Sequence, residues 1–149
     1  GIARDTLDTA IRETWEETGI NLRSGGKLLG TLDDVWHGSA PIHHYLITPF
    51  VALAPPNPQI VLSHEVAEAV WVPLSVLRDP ENRVTTHYEH KGIRKWAEGI
   101  RYRQYFIWGI TEGIVQHFLF LIRNVYDESG FEELGLEGSE VQGSKVREP

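Results

Sequence analysis

The chain contains no cysteine and no methionine. Without cysteine there is no disulfide, no thiolate nucleophile and no sulfur-built zinc site. Any metal must therefore be held by oxygen or by histidine nitrogen. Methionine is missing even from position 1, which is Gly1, so the start reads as an internal cut, a processed end or a shortened gene model. Long apolar runs are missing too. The longest candidate, Phe118 to Ile122, falls far short of the roughly 20 residues of a membrane span, and no basic start followed by an apolar stretch marks a signal peptide. Excess positive charge is also lacking. Lys and Arg number 14 against 21 Asp and Glu, for a net charge of -7. Such a field repels polyphosphate at long range, so neither nucleic acid nor a membrane is an expected partner. A small phosphorylated ligand remains compatible where bound divalent cations invert the local charge.

What is present suits one folded domain: 149 residues, 41% hydrophobic and 23% charged, enough to enclose a core. Leu7, Ala10, Ile11, Thr14, Trp15 and Thr18 recur at helical spacing and predict an amphipathic helix over Asp5 to Thr18. Asp5 or Thr6 can cap its start, and Gly19 stands where a left-handed residue ends a helix. The pattern then changes to strands, with one over residues 28–32 and a longer one from His43 to Leu53. Trp36 to Pro41 reads as a turn between them, its tip presenting Trp36 and His37 to solvent or to a nucleotide. A short strand is expected at Ile60 to Leu62 and a stronger one at Ala69 to Val72. Pro73-Leu74-Ser75 opens a short helix that stops at Asp79-Pro80. Loop and hairpin are expected around Thr85 to Gly92, a strand at Tyr105 to Trp108 and a largely buried helix from Ile110 to Tyr126. Trp108 and Phe118 are read as core. The acidic, glycine-rich stretch over 127–149 reads as a tail without fixed structure.

The polar face of the first helix is the informative feature. At about 100° per residue, Glu13, Glu16 and Glu17 share one sector. Glu13 and Glu17 are like charges at i,i+4, and Glu16 and Glu17 lie in the last turn, where the helix dipole disfavours acids. A helix built for stability alone would carry Lys or Arg there. Three carboxylates set against the dipole make a poor surface but a suitable site for a hard cation such as Mg²⁺ or Mn²⁺, completed by waters and substrate phosphates. Arg12 can reach Asp8 and Glu16 at i±4 and hold the acids in place. The blander reading of the same pattern is a solvated acidic face. Histidine offers less: His43 and His44 are adjacent on a strand and point to opposite faces, while His87 and His90 sit in a polar loop. Gly25-Gly26-Lys27 lacks the spacing and the hydroxyl of a phosphate loop.

Arg12-Glu13-Thr14-Trp15-Glu16-Glu17-Thr18-Gly19-Ile20 resembles the second half of the Nudix box, in which Arg-Glu, an apolar residue, a free position, Glu-Glu, a free position, Gly and an apolar residue follow one another. Thr14, in place of an aliphatic residue, is its one departure. The first half is missing: no Gly-Gly pair precedes the helix, and Arg4 stands where the family has an acid. Further along, Leu32-Asp33-Asp34, Thr48 to Val51, Glu65 to Glu68, Trp71 to Ser75 and Ile107 to Thr111 are similar, in the same order, to the coenzyme A pyrophosphatase-like branch. The resemblance implies a Nudix-type α/β/α sandwich with a mixed sheet, spanning residues 1–126 and lacking its first strand or strands. It implies Mg²⁺ or Mn²⁺ on Glu13, Glu16 and Glu17, with Arg12 orienting them, and a small nucleotide substrate cleaved at a diphosphate, coenzyme A or an acylated form foremost. Glu65 and Glu68 are candidates for a general base, with a surface carboxylate or structural ion pair as the alternative. Two rivals stand beside this reading. The missing half-box suits a non-catalytic module that binds a nucleotide or a protein, and a chain short of its first strands suits a homodimer or swapped dimer that supplies them.

Overall fold

Apolar positions three and four apart need one continuous surface to pack against, and the first helix, α1, runs Ile2–Thr18 to provide it. A computed structural model describes residues 2–38, 45–123 and 140–142. The chain divides into two units, Gly1–Ala69 and Val70–Pro149.

In the first unit α1 is followed by four short strands: β1 (Lys27–Thr31), β2 (Val35–His37), β3 (Tyr45–Ile47) and β4 (Phe50–Leu53). β1 pairs antiparallel with β4, placing Leu28 opposite Ala52 and Thr31 opposite Phe50, with an irregularity between Leu28 and Gly30. Leu7, Ala10 and Ile11 line an apolar cleft with Leu28, Phe50 and Ala52, so the apolar stripe of α1 faces this ladder. Trp15 does not share that role. About 80° around the helix from the middle of the stripe, it is 56% exposed. The single long strand expected up to Leu53 is broken, because Pro49 has no N–H to give a ladder. Its carbonyl instead accepts from the Leu32 N–H at 3.0 Å, and the Thr48 hydroxyl donates to Asp34 at 2.7 Å. Trp36 and His37 lie not at a turn tip but on β2, opposite Leu46 and Tyr45 of β3. His43, His44 and residues 39–42 lie outside the described residues. Ile60 to Leu62 forms no strand, since its backbone is used by the end of α1.

In the second unit β5 (Trp71–Pro73) leads directly into a short helix, α2 (Leu74–Arg78), and a 3₁₀ turn at Pro80–Asn82. A hairpin follows, β6 (Arg83–His90) with β7 (Ile93–Tyr102), and β8 (Tyr105–Trp108) adds to the outer side of β7. The loop expected around Thr85 to Tyr88 is therefore strand, with His87 opposite Trp96 and Thr86 opposite Ala97. The turn explains it. Lys91 and Gly92 have φ of 52° and 74°, the two positive values of a type I′ turn, whose twist matches paired strands. α3 (Gly109–Ile122) forms where a helix was expected, but it is not the largely buried helix read from its apolar residues: none of its residues is fully buried, and Phe120 and Leu121 are exposed. Residues 124–126, expected to extend it, lie outside the described residues. So does most of the expected tail, of which Glu140–Gln142 forms β9, paired antiparallel with β5.

The core of this unit is Val72, Leu77, Ile100 and Ile107, with Val115 and Leu119 of α3 packed against it. Ile100 and Val72 are enclosed at 0% and 1% exposure, each stabilising the fold by about 1.5–3 kcal/mol over an exposed side chain. Gly99 is required by crowding: a Cβ there would fall 2.3 Å from the Ile107 carbonyl oxygen and 2.9 Å from Phe106 Cε2. Every ladder among the described residues is antiparallel. No helix among the described residues is long and apolar enough to cross a membrane.

Candidate active site at the end of the first helix

The last turn of α1 is finished by its own hydroxyls. Thr14 donates to the Ala10 carbonyl at 2.8 Å and Thr18 to the Thr14 carbonyl at 2.6 Å, so the polar residue at position 14 is satisfied within the half-buried stripe. Thr18 Oγ1 then accepts from the Ile20 N–H at 3.2 Å. Gly19 closes the helix with φ of 78°, its N–H donating to Trp15 at 2.8 Å. Ile20, at 3% exposure, plugs the unit just beyond.

Helix ends leave carbonyls without partners. Here a later segment supplies them: the Val61 N–H donates to the Thr18 carbonyl at 2.8 Å and the Ser63 N–H to the Glu17 carbonyl at 3.0 Å. This approach is why residue 19 must be glycine twice over. Besides its positive φ, a Cβ would sit 3.0 Å from the Val61 nitrogen and 3.1 Å from the Val61 Cβ. Ser63 goes on to form a turn in which its carbonyl accepts from the Val66 N–H and its hydroxyl from the Glu65 N–H. Glu65 is thus carried on a turn whose base is fastened to the backbone of Glu17. Glu68 lies further along the same exposed segment.

On the polar face, Arg12 spreads its guanidinium between two of the three glutamates. One terminal nitrogen is 2.9 Å from Glu16 Oε2 and the other 3.0 Å from Glu13 Oε1. Hydrogen bonding to Glu16, with the charges of Glu16 and Glu13, holds the Arg12 pKa above the ordinary arginine value. The expected contact with Asp8 is not made, because Asp8 is bonded to Arg23 from the following loop. Arg23 is the residue the sequence did not point to. Its partner lies fifteen positions away, beyond the reach of helical spacing. Glu17 is half-buried and lies about 100° around the helix from Glu16.

The donor set suits a hard divalent cation. All three side chains are carboxylates, and Glu13 and Glu16 already converge on one positive charge. Mg²⁺ commonly takes one or two protein carboxylates and fills the rest of its octahedron with water and phosphate. A complete cage is not formed, since no three His, Cys, Asp or Glu side chains among the described residues gather closely enough to hold an ion.

Helices with antiparallel ladders define an α/β domain. More narrowly, the model of the NUDIX domain family matches residues 3–95, and the chain belongs to that family. Its fold is of the Nudix α/β type. The general chemistry of such domains is pyrophosphohydrolase-type cleavage of phosphoric anhydrides in small nucleotide-type substrates, usually with divalent metals such as Mg²⁺ or Mn²⁺. No match emerges among curated proteins or among solved structures.

Proposed function

We propose that the chain is a diphosphatase that hydrolyses a nucleoside diphosphate linked to another moiety, with coenzyme A or acyl-coenzyme A as substrate. The observation that carries this reading is that Glu13 and Glu16 are drawn together by the Arg12 guanidinium, at 3.0 and 2.9 Å, on the polar face of a Nudix helix. Glu13, Glu16 and Glu17 would hold Mg²⁺ or Mn²⁺. Such an ion, when bound, stabilises charge on the phosphoryl and leaving oxygens and lowers the pKa of water. The chain's own residues do the rest. Glu65, on the anchored turn, or Glu68, on the same segment, would be the carboxylate that takes a proton from the attacking water. The coenzyme A assignment is supported by the ordered segments from Leu32 to Thr111 that resemble that branch.

The test is hydrolysis of coenzyme A, acetyl-coenzyme A, ADP-ribose, NADH and dinucleoside polyphosphates with and without Mg²⁺, products being read by chromatography and mass. Mg²⁺-dependent release of 3′,5′-ADP, lost in Glu17→Gln, is the expected result. Turnover of ADP-ribose or NADH alone would transfer the assignment to another branch. A second reading draws on the Arg12 ion pairs, which neutralise two of the three carboxylates: the chain would be a Nudix-like binding module. Nucleotide binding without turnover on any substrate, from folded protein, would favour it. β1–β4 and β2–β3 are two-stranded among the described residues, and such open edges suit a homodimer, which size-exclusion chromatography across concentrations would detect.

A further inference from the structure

We propose that the free end of the β6–β7 hairpin is a docking arm for an anionic membrane surface, in which Ile93 and Trp96 enter the lipid interface while Lys91, Arg94 and Lys95 meet the headgroups. The strand ladders define the arm. β8 pairs with β7 only from Gly99 to Tyr102, whereas β6 pairs with it from Ile93 to Ile100. The segment from His87 to Trp96 is therefore a two-stranded ribbon without a third strand among the described residues, and every residue from Glu89 to Trp96 is exposed. A ribbon of two strands is marginal in water by itself, and this one carries Ile93 at 61% and Trp96 at 68% exposure.

Charge and facing select the partner. Between His87 and Trp96 stand three cations, Lys91, Arg94 and Lys95, against one acid, Glu89, although the chain as a whole carries -7. The arm is thus opposite in sign to the chain that bears it, and it complements an anionic surface. Neither Lys91 nor Lys95 has an ion-pair partner among the described residues. Side chains alternate along a strand, so Ile93 and Lys95 lie on one face of the ribbon and Arg94 and Trp96 on the other. A rigid partner docks on one face at a time. A lipid interface surrounds an inserted tip, and it accepts an aliphatic side chain, an indole and snorkelling lysine stems together. Trp96 stands three residues behind Ile93, about 10 Å along the strand, which sets the indole at headgroup level when Ile93 lies beneath it. Nucleic acid would use the cations and the indole but gives Ile93 no role. Trp96 is also held in place: its ring meets His87 across the ladder edge-on at 5.5 Å, and Arg94, which lies over it at 6.0 Å, donates to His87 Nε2 at 2.7 Å.

The test is sedimentation of the whole chain with vesicles of phosphatidylcholine and with vesicles of equal parts phosphatidylcholine and phosphatidylserine. Binding to the second kind at low salt, none to the first, and loss at high salt are expected. Lys91→Gln with Lys95→Gln should weaken partition about five-fold for each charge removed. Ile93→Ser and Trp96→Ser should each weaken it about ten-fold. Brominated lipid should quench indole fluorescence in the parent, and Trp96→Phe should remove most of that quenching; this variant also serves should Trp96→Ser lose its circular dichroism spectrum. No sedimentation with anionic vesicles at low salt overturns the proposal. Sedimentation that the lysine variants weaken but Ile93→Ser and Trp96→Ser leave unchanged reduces the contact to surface charge and overturns the insertion. Loss in only one of Ile93→Ser and Trp96→Ser assigns the arm to a one-faced partner, such as an acidic protein, and overturns it as well. Retention on single-stranded RNA without vesicle binding would do so in favour of nucleic acid.

Discussion

Replacing Gly19 with alanine tests how the end of α1 is tied to the segment carrying Glu65. Two effects act together. Alanine at φ of 78° bears a left-handed strain of about 1 kcal/mol. The new Cβ also meets the Val61 nitrogen at 3.0 Å, the Val61 Cβ at 3.1 Å and the Gln59 carbonyl oxygen at 3.3 Å. Moving that backbone away endangers the bonds from Val61 to Thr18 and from Ser63 to Glu17, worth about 1 kcal/mol each. The expected loss is therefore about 2–4 kcal/mol. Gly92→Ala supplies the comparison, because Gly92 has nearly the same φ, 74°, and an added methyl there would meet nothing within 4 Å; its loss should stop at about 1 kcal/mol. Urea denaturation of both variants against the parent measures the gap. A Gly19→Ala loss equal to that of Gly92→Ala would refute the anchoring argument, leaving only backbone strain.

Three shorter predictions rest on the same geometry. Ile100→Ala removes a side chain with 0% exposure and should cost about 2–5 kcal/mol in urea, whereas Ile93→Ala, at 61% exposure, should stay within about 0.5 kcal/mol. Lys91→Asn should stabilise the hairpin by about 0.5–1 kcal/mol, since Asn tolerates the 52° φ better; an unchanged or lower midpoint refutes the type I′ assignment. Arg83→Met should destabilise by about 1–3 kcal/mol by leaving the half-buried Glu112, 2.7 Å away, without its charge partner. The Arg83 pKa is raised, chiefly by hydrogen bonding to Glu112. The sign follows: this contribution is fully present below the unfolded arginine pKa and is lost only as pH rises through the higher folded value. The difference between parent and Arg83→Met attributable to titration of Arg83 should therefore be flat from pH 6 to pH 9, and a slope that tracks this arginine would contradict it.

Local rules made some of this legible and left other parts unreadable. The helix Asp5 to Thr18 and its stop at Gly19 follow from periodicity and a left-handed cap, both properties of adjacent residues. β5, α2 and β8 were readable for similar reasons, as short apolar runs bounded by proline, aspartate or glycine. A hairpin was expected near Gly92, but not that Thr85 to His90 would be strand rather than loop, because this stretch is polar and shows no apolar alternation. Its order comes from a two-residue turn and from pairing with β7, and the paired partner of each residue lies several positions downstream. The break at Pro49 was visible as a residue but not as an outcome, since neighbouring β-branched and aromatic residues argued for continuity.

The acidic face shows the same division at the level of the site. Spacing puts Asp8 and Glu16 equally within reach of Arg12, and it does not indicate Glu13, the chain neighbour that Arg12 also takes. In the structure Arg12 takes Glu13 and Glu16, while Asp8 is held by Arg23, in a loop that the helix pattern does not describe. The segment carrying Glu65 poses the same kind of problem, for the carbonyls of Glu17 and Thr18 that fasten it are backbone groups common to every residue. Only Gly19 betrays the contact in the sequence, and there the close approach is indistinguishable from an ordinary helix stop.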